Sequence, residues 1–106
     1  MPRRIRILPE ADSDLDDHFA YLLGESPSAA FRFLESADKT FRLLSQQPSI
    51  GYLRRNAKPS LKDIRSFPVT GFPNWLVFYR PTTNEIEIVR ILHGATNIPR
   101  ILGEDL

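Results

Sequence analysis

Two apolar arms around a polar turn, within residues 75–93, constrain the fold of this chain more than any other stretch. The first arm, residues 75–80, is apolar or aromatic on both faces, which is typical of a strand covered on both sides. The second arm, residues 85–93, alternates acidic and aliphatic residues before it becomes apolar from Val89. Residues 81–84 supply the turn. We therefore expect an antiparallel hairpin whose first arm is the central strand of a sheet.

The length of the chain and its lack of cysteine limit what can surround this hairpin. A chain of 106 residues is long enough for one domain, expected over residues 1–106, that buries roughly two thirds of its unfolded surface. The absence of cysteine excludes a disulfide framework, a thiol nucleophile and a thiolate metal site. No apolar run approaches the roughly 20 residues of a membrane span, and the N-terminus lacks the apolar core of a signal peptide. These features predict a cytoplasmic protein without a membrane partner.

The first 25 residues predict an edge strand followed by a helix. Residues 4–8 alternate arginine with aliphatic residues, so Ile5 and Ile7 should face the core. A helix is expected over residues 10–24, with several aspartates near its start, where the helix dipole favours carboxylates. His18 lies among these aspartates and should be a partly exposed surface residue. The aspartates lack calcium-loop spacing, so we expect no metal and no cofactor.

A second helix is predicted immediately after the first. Ser26 and Pro27 are residue types preferred at an N-cap and at the first helical position. The helix should end before Pro48. Its apolar stripe, at intervals of three and four residues, is formed by Ala30, Leu34, Ala37, Phe41 and Leu44. Phe31 and Phe33 lie off this stripe, so they should either cover the first helix or contact a partner.

The rest of the chain completes an α+β pattern. Residues 50–60 are basic and lack a period, which predicts a loop, and a strand follows over residues 64–67, ended by Pro68. Residues 97–102 form either a short C-terminal helix or an extended tail. The order strand, helix, helix, strand, strand, strand predicts a two-helix hairpin on one face of a four-stranded, mainly antiparallel sheet. The other face of the sheet would then be partly uncovered and available for docking.

Charge is unevenly distributed along the chain, although the net charge is only +1. Residues 10–25 hold six acidic and no basic residues, whereas residues 48–80 hold six basic residues and one acidic residue. Arginine outnumbers lysine by 11 to 3, and arginine suits bidentate contact with phosphate or carboxylate. The basic segment, which includes Arg54 and Arg55, is therefore expected to attract acidic partners.

A set of short motifs runs through nearly the whole chain: Asp14-Leu15, Ser26-Pro27 with Ala30, Phe33-Leu34, Pro48 with Gly51, Ile64-Arg65, Val77-Phe78-Tyr79-Arg80 and Ile88-Val89-Arg90-Ile91-Leu92-His93-Gly94-Ala95. Together they resemble the RelE/ParE superfamily of type II toxins, and its ParE branch most closely. The sequence departs from the common ParE pattern at Thr96-Asn97, where ParE-like sequences often carry Arg-Asp. The resemblance implies a small toxin, of the kind associated with plasmid stabilisation, that is encoded beside its antitoxin.

The resemblance implies two alternative activities. ParE-like members are associated with poisoning DNA gyrase without being enzymes, whereas RelE-like members cleave messenger RNA on the ribosome. We favour gyrase inhibition, because the motifs match the ParE branch and because the lysine and tyrosine cluster of RelE-like nucleases is missing. A degenerate toxin that only binds its antitoxin is a third alternative. In each case the expected partner is a ParD-like antitoxin or another small DNA-binding protein.

Under the nuclease alternative, three residues would carry the chemistry. Attack by the RNA 2′-hydroxyl needs a base, an acid and cations that hold the phosphorane charge, and Arg65, Arg80 and His93 are the only plausible set. Each residue also has a structural interpretation. Arg80 can pair with Glu85 or Glu87 across the hairpin, Arg65 can be solvated, and His93 can cap the strand end by hydrogen bonding to a loop carbonyl.

For the protein partners, we expect an amphipathic antitoxin segment to lie against exposed apolar groups of the helical hairpin and the sheet. The residues expected to contact a partner are Phe31, Phe33, Arg54, Arg55, Ile98, Ile101 and Leu102. The last three have no obvious place in the core of four strands, and a gyrase-binding toxin should be sensitive to their replacement.

Overall fold

The computed structural model describes residues 2–55 and 57–104, and its elements follow the expected order. Those elements are β1 (Arg4–Ile7), α1 (Pro9–Glu25), α2 (Pro27–Gln46), β2 (Tyr52–Leu53), a 3-10 turn (Pro59–Leu61), β3 (Arg65–Val69), β4 (Phe72–Pro81), β5 (Glu85–His93) and α3 (Ile98–Leu102). Within the described residues, none of the helices has both the length and the apolar character needed to cross a bilayer.

One mixed sheet organises these elements, with the strand order β1-β5-β4-β3-β2. The central strand is β4, which pairs antiparallel with both β3 and β5, while β1 pairs parallel with β5. The α+β fold and the central position of β4 are therefore confirmed.

The prediction of four strands missed β2, because two residues inside a basic loop are too few to show a period of two. The strand β3 also continues through Pro68, which has no N–H to donate to a neighbouring strand. The register shifts between Pro68 and Val69, and proline is tolerated in a strand at such an irregularity.

Both faces of β4 are buried, as its uninterrupted apolar sequence predicted. On one face, β4 and β5 pack against the helical hairpin formed by α1 and α2, in a cluster that includes Val77, Tyr79, Phe33, Phe41 and Leu44. On the other face, Phe78 is the centre of a smaller cluster with Ile64, Val89, Leu92, Ile98 and Leu102. The second face is thus covered by α3 and by the ends of the neighbouring strands.

A bulge in β5 decides which of its side chains meet the helices. Phe78 lies opposite Arg90, but the next residue, Tyr79, lies opposite Ile88, so Val89 is an extra residue in β5. The extra residue reverses the alternation of faces along the strand. Aliphatic side chains on both sides of the bulge therefore join the helix-facing cluster, namely Ile86, Ile88 and Ile91.

Ile5 and Ile7 face the core side of the sheet as predicted, but they are not buried, because they are 36% and 39% exposed. Their partners in β5, Ile86 and Ile88, are fully buried in the helix-facing cluster. Paired residues of neighbouring strands share a face, so Ile5 and Ile7 do point to the helix side. They stay exposed because β1 is the edge strand and the helices cover this edge incompletely.

The capping prediction for α2 is confirmed, but one position of its buried stripe is shifted. The Ser26 hydroxyl accepts a hydrogen bond from the Ala29 N–H at 3.4 Å. Phe33 is fully buried, whereas Leu34 is 37% exposed. The ring of Phe33 packs edge-on against Phe72 and Trp75, with centroids 5.3 and 5.6 Å away. The premise that Phe33 lies off the core, and so is free to contact a partner, is therefore wrong.

The C-terminal segment forms the helix α3, and its burial contradicts the expectation that its apolar residues have no place in the core. Ile98 is 7% exposed and Leu102 is fully buried, both against the outer face of β4 and β5. Ile101 is half-buried and packs on the same cluster. Asn97 caps the helix by accepting a hydrogen bond from the Arg100 N–H. The chain reaches this face because the turn after β5 reverses its direction.

The neighbouring residues Phe33 and Leu34 provide a matched test of the core. We expect Phe33→Ala to lower the free energy of unfolding by about 3–5 kcal/mol, because it opens a cavity between α2 and β4. Leu34→Ala should lower it by less than about 1 kcal/mol, because that side chain is already partly in water. Urea denaturation of both variants measures the difference. Similar losses for the two variants would contradict the assignment of the buried stripe.

Candidate functional site

At Ile91, the backbone of β5 hydrogen-bonds to side chains of α1 and no longer to the strand β1. The last residue pair between β1 and β5 joins Ile7 to Ile88, so β1 does not reach Ile91. There the Asp14 carboxylate accepts a hydrogen bond from the Ile91 N–H at 2.9 Å, and His18 Nε2 donates to the Ile91 carbonyl at 2.6 Å. Side chains of α1 therefore complete the hydrogen bonding of β5 where β1 stops. His18 is half-buried for this reason.

Asp14 also forms a bidentate ion pair with Arg90. Its two oxygens accept hydrogen bonds from Arg90 Nε at 2.8 Å and from a terminal nitrogen at 3.0 Å. These bonds raise the pKa of Arg90, and the loss of solvent around the guanidinium opposes them only in part. Sequence analysis grouped Asp14 with the helix-start aspartates and missed this role. Its spacing was a usable signal, because Asp14 follows the buried Ala11 by three positions and precedes His18 by four.

Tyr79 fixes the loop that follows α2. Its buried hydroxyl donates to the Pro48 carbonyl and accepts from the Gly51 N–H, both at 2.8 Å. A Cβ at Gly51 would lie only 2.5 Å from that hydroxyl, so residue 51 must be glycine for this contact. Burial raises the pKa of Tyr79, while the bond from Gly51 and the charge of Arg65 act in the opposite direction.

Arg65 and Arg80 each have protein partners in the structure. A terminal nitrogen of Arg65 donates to the Gly51 carbonyl at 2.8 Å and to the Ser49 carbonyl at 3.2 Å. Arg80 donates to one Glu87 oxygen from two nitrogens, at 2.9 and 2.8 Å, and to a carbonyl of the 3-10 turn. The predicted cross-strand pair between Arg80 and Glu87 is therefore present.

His93 closes the turn after β5. Its Nδ1 accepts a hydrogen bond from the Ala95 N–H at 3.0 Å, and its ring packs edge-on against Trp75 with centroids 4.6 Å apart. The predicted capping role is thus observed in a different form, because the bond comes from a backbone N–H and not from His93 to a carbonyl. The ring nitrogen that serves as acceptor carries no proton in this arrangement.

The structure does not bring the three candidate catalytic residues together. His93 lies opposite Trp75, the first residue of β4 that pairs with β5, whereas Arg80 lies near the end of β4. Five residues of strand separate these positions, which is about 16 Å at roughly 3.3 Å per residue. Arg65 pairs with Tyr79, on the helix side of the sheet, and the adjacent Arg80 points to the opposite side.

The residues predicted to contact partners differ widely in exposure. Phe31 is 57% exposed and packs edge-on against Phe19 at 5.2 Å, and Arg55 is exposed. Arg54 forms a bidentate ion pair with Glu104 and lies over the Phe78 ring.

Within residues 2–55 and 57–104, no group of three or more His, Asp or Glu residues is placed to hold a metal ion.

Comparison with known proteins agrees with this architecture. A family model described as the ParE toxin of type II toxin-antitoxin system, parDE, matches residues 5–98, which include α1, α2 and all five strands except Arg4, the first residue of β1. The chain belongs to the ParE toxin family. A solved structure titled "Chromosomal ParDE TA system from P. aeruginosa" superposes on this toxin with a TM-score of 0.69 and 20% sequence identity. The match covers 86% of this chain and 95% of that chain, and it shows the same fold. No curated protein matches the sequence.

The contact between Asp14 and β5 of this ParE-family toxin can be tested by one isosteric change. Asp14→Asn keeps the shape but removes the charge, and it places an amide N–H against Arg90 or against the Ile91 N–H. We expect the free energy of unfolding to fall by roughly 1.5–3 kcal/mol, the usual contribution of a hydrogen bond to a charged group. Asp16→Asn, an exposed change on the same helix, is the control. Equal denaturation midpoints for the two variants would contradict the proposed role of Asp14.

Proposed function

We propose that this toxin acts in the cytoplasm by binding DNA gyrase, without catalysing a reaction, and that a cognate antitoxin neutralises it. The observation that supports binding over RNA cleavage is the separation of Arg65, Arg80 and His93. A general base has to lie about 2.6–3.2 Å from the proton that it removes, and the groups that stabilise the phosphorane must surround the same atom. Residues that lie on two faces of the sheet and at opposite ends of the pairing between β4 and β5 do not meet that requirement.

The hydrogen bonds of these residues also support a non-enzymatic action. Arg65 is engaged by backbone carbonyls, Arg80 by Glu87, and His93 Nδ1 by the Ala95 N–H. Each of these contacts stabilises a turn or a strand of the fold itself. A nuclease would have to break at least two of them to place its catalytic groups around one phosphate.

The proposed antitoxin surface lies on the helical hairpin. Phe31 and Leu34 are three positions apart on α2, and both side chains are substantially exposed. Phe31 is in contact with Phe19 of α1, so the exposed apolar surface extends across both helices. An amphipathic segment of the antitoxin would bury this surface with its apolar face. Phe31 is the one residue of the predicted partner contacts that is both aromatic and exposed.

The target can be decided by parallel assays of purified toxin. We expect the toxin to inhibit supercoiling by gyrase, to leave a labelled message intact during in vitro translation, and to lose its effect when antitoxin is added. His93→Asn retains an acceptor for the Ala95 N–H and should still inhibit gyrase. If His93 were the general acid or base of a nuclease, the same change would instead lower the rate of RNA cleavage by about 10²–10⁴-fold. Codon-positioned cuts in the message, with normal supercoiling, would contradict the proposal.

The antitoxin surface is tested by a pair of exposed aromatic residues. We expect Phe31→Ser to weaken the complex with the adjacent gene product by at least about 30-fold, which corresponds to a hot-spot loss of about 2 kcal/mol. Tyr21→Ser is the control, because Tyr21 is also exposed but is two positions from Phe19 and so on another side of α1. Isothermal titration of both variants measures the change. A larger loss for Tyr21→Ser would place the surface elsewhere.

A further inference from the structure

Three shallow depressions form a continuous path from the turn between β4 and β5 to the loop after β2. Their volumes are about 670, 550 and 390 Å³, within the range of ligand-sized pockets. The first and second share Thr82 and Thr83, and the second and third share Leu53 and Asp63. Six basic residues line this path, and one of them, Arg54, is paired with Glu104. We call the other five the cationic track: Arg3, Arg4, Arg55, Lys62 and Arg65.

The cations of the track are available for an external anion. The ion pairs among the described residues engage other arginines, and none involves a member of the track. Arg65 is held in place by two backbone carbonyls, which leave its charge unneutralised. Among residues 2–55 and 57–104, the carboxylates that line the path are Asp63 and Glu85. The exposed hydroxyl-bearing residues Ser49 and Thr83 lie between the cations. Arginine, lysine and hydroxyl groups are the side chains that contact phosphate oxygens of DNA.

The exposed acidic residues of α1 lie away from the track. The helix α1 begins next to Ile88, because the Leu8 N–H bonds to the Ile88 carbonyl, and α1 continues beside Ile91, away from the turn. Its exposed carboxylates are Glu10, Asp12, Asp16, Asp17 and Glu25. This separation of charge would orient the protein so that the track approaches a polyanion first.

We infer that the cationic track docks on the phosphodiester backbone of duplex DNA. The inference rests on the proposed function, because gyrase holds duplex DNA and an inhibitor bound to gyrase lies close to that DNA. A duplex presents one negative charge for about every 1.7 Å of its axis, which suits a row of separated cations better than a single anion does. Contacts to phosphate carry no sequence information, so we expect binding through the track to be independent of sequence.

The test measures binding of a fluorescently labelled, mixed-sequence duplex to the full-length toxin by anisotropy at different salt concentrations. We expect a dissociation constant of about 10⁻⁶–10⁻⁴ M at physiological salt and a log–log salt slope of roughly −4, for four or five phosphate contacts. The track variant Arg4→Gln/Arg55→Gln/Lys62→Gln should reduce the magnitude of that slope by about 2.7. The control variant Arg32→Gln/Lys39→Gln/Arg100→Gln removes the same charge from exposed positions outside the track and should keep the slope.

The outcomes separate this inference from the proposed function. Equal loss of DNA binding in the two variants, or no salt-dependent binding by the unmodified toxin, would contradict DNA docking by the cationic track. Neither result would contradict the proposal that the toxin inhibits gyrase. A track variant that binds DNA normally but loses its antitoxin would show that the track is a surface for an acidic protein. A toxin that binds DNA through the track but does not inhibit supercoiling would instead contradict the proposed function alone. Circular dichroism of both variants verifies that they are folded.

Discussion

The backbone N–H and carbonyl of Ile91 impose the constraint on which the arrangement of the helices depends. Both groups face an edge that β1 does not reach, and an unsatisfied buried group costs about 1–3 kcal/mol. Asp14 and His18 satisfy both groups from one side of α1. This contact fixes the rotation of α1 on the sheet. Since α2 packs against α1, it also fixes where the ring of Phe33 meets β4.

Features that depend on local sequence could be predicted, and features that depend on distant packing could not. The uninterrupted apolar run of β4 requires cover on both faces, and Ser26 with Pro27 requires a helix start, so both predictions hold. Which of Phe33 and Leu34 is buried could not be predicted in this way. A helical period of 3.6 residues accommodates either one, and only the rings of Trp75 and Phe72, about 40 positions later in the chain, decide it.

The placement of the candidate site residues also depends on distant pairing and could not be predicted from the sequence. Sequence analysis could name Arg65, Arg80 and His93 by their residue types, but their relative placement depends on register. Pairing of Arg65 with Tyr79 places it on the opposite side of the sheet from Arg80, and pairing of His93 with Trp75 places it at the opposite end of β4. The roles of Asp14 and Tyr79 were missed because each one serves a distant backbone group.

The contact between Asp14 and Ile91 joins residues 77 positions apart, and this distance affects how the toxin forms during its synthesis. While the ribosome adds the first half of the chain, α1 and α2 have no sheet on which to bury their apolar faces. The strands β4 and β5 emerge well after both helices, and only then can the helices and β1 dock. Closing so long a loop is entropically costly, so the apolar faces of the nascent helices stay uncovered until β5 has been synthesised. A toxin of this topology therefore cannot complete its helix–sheet contacts before β5 has left the ribosome.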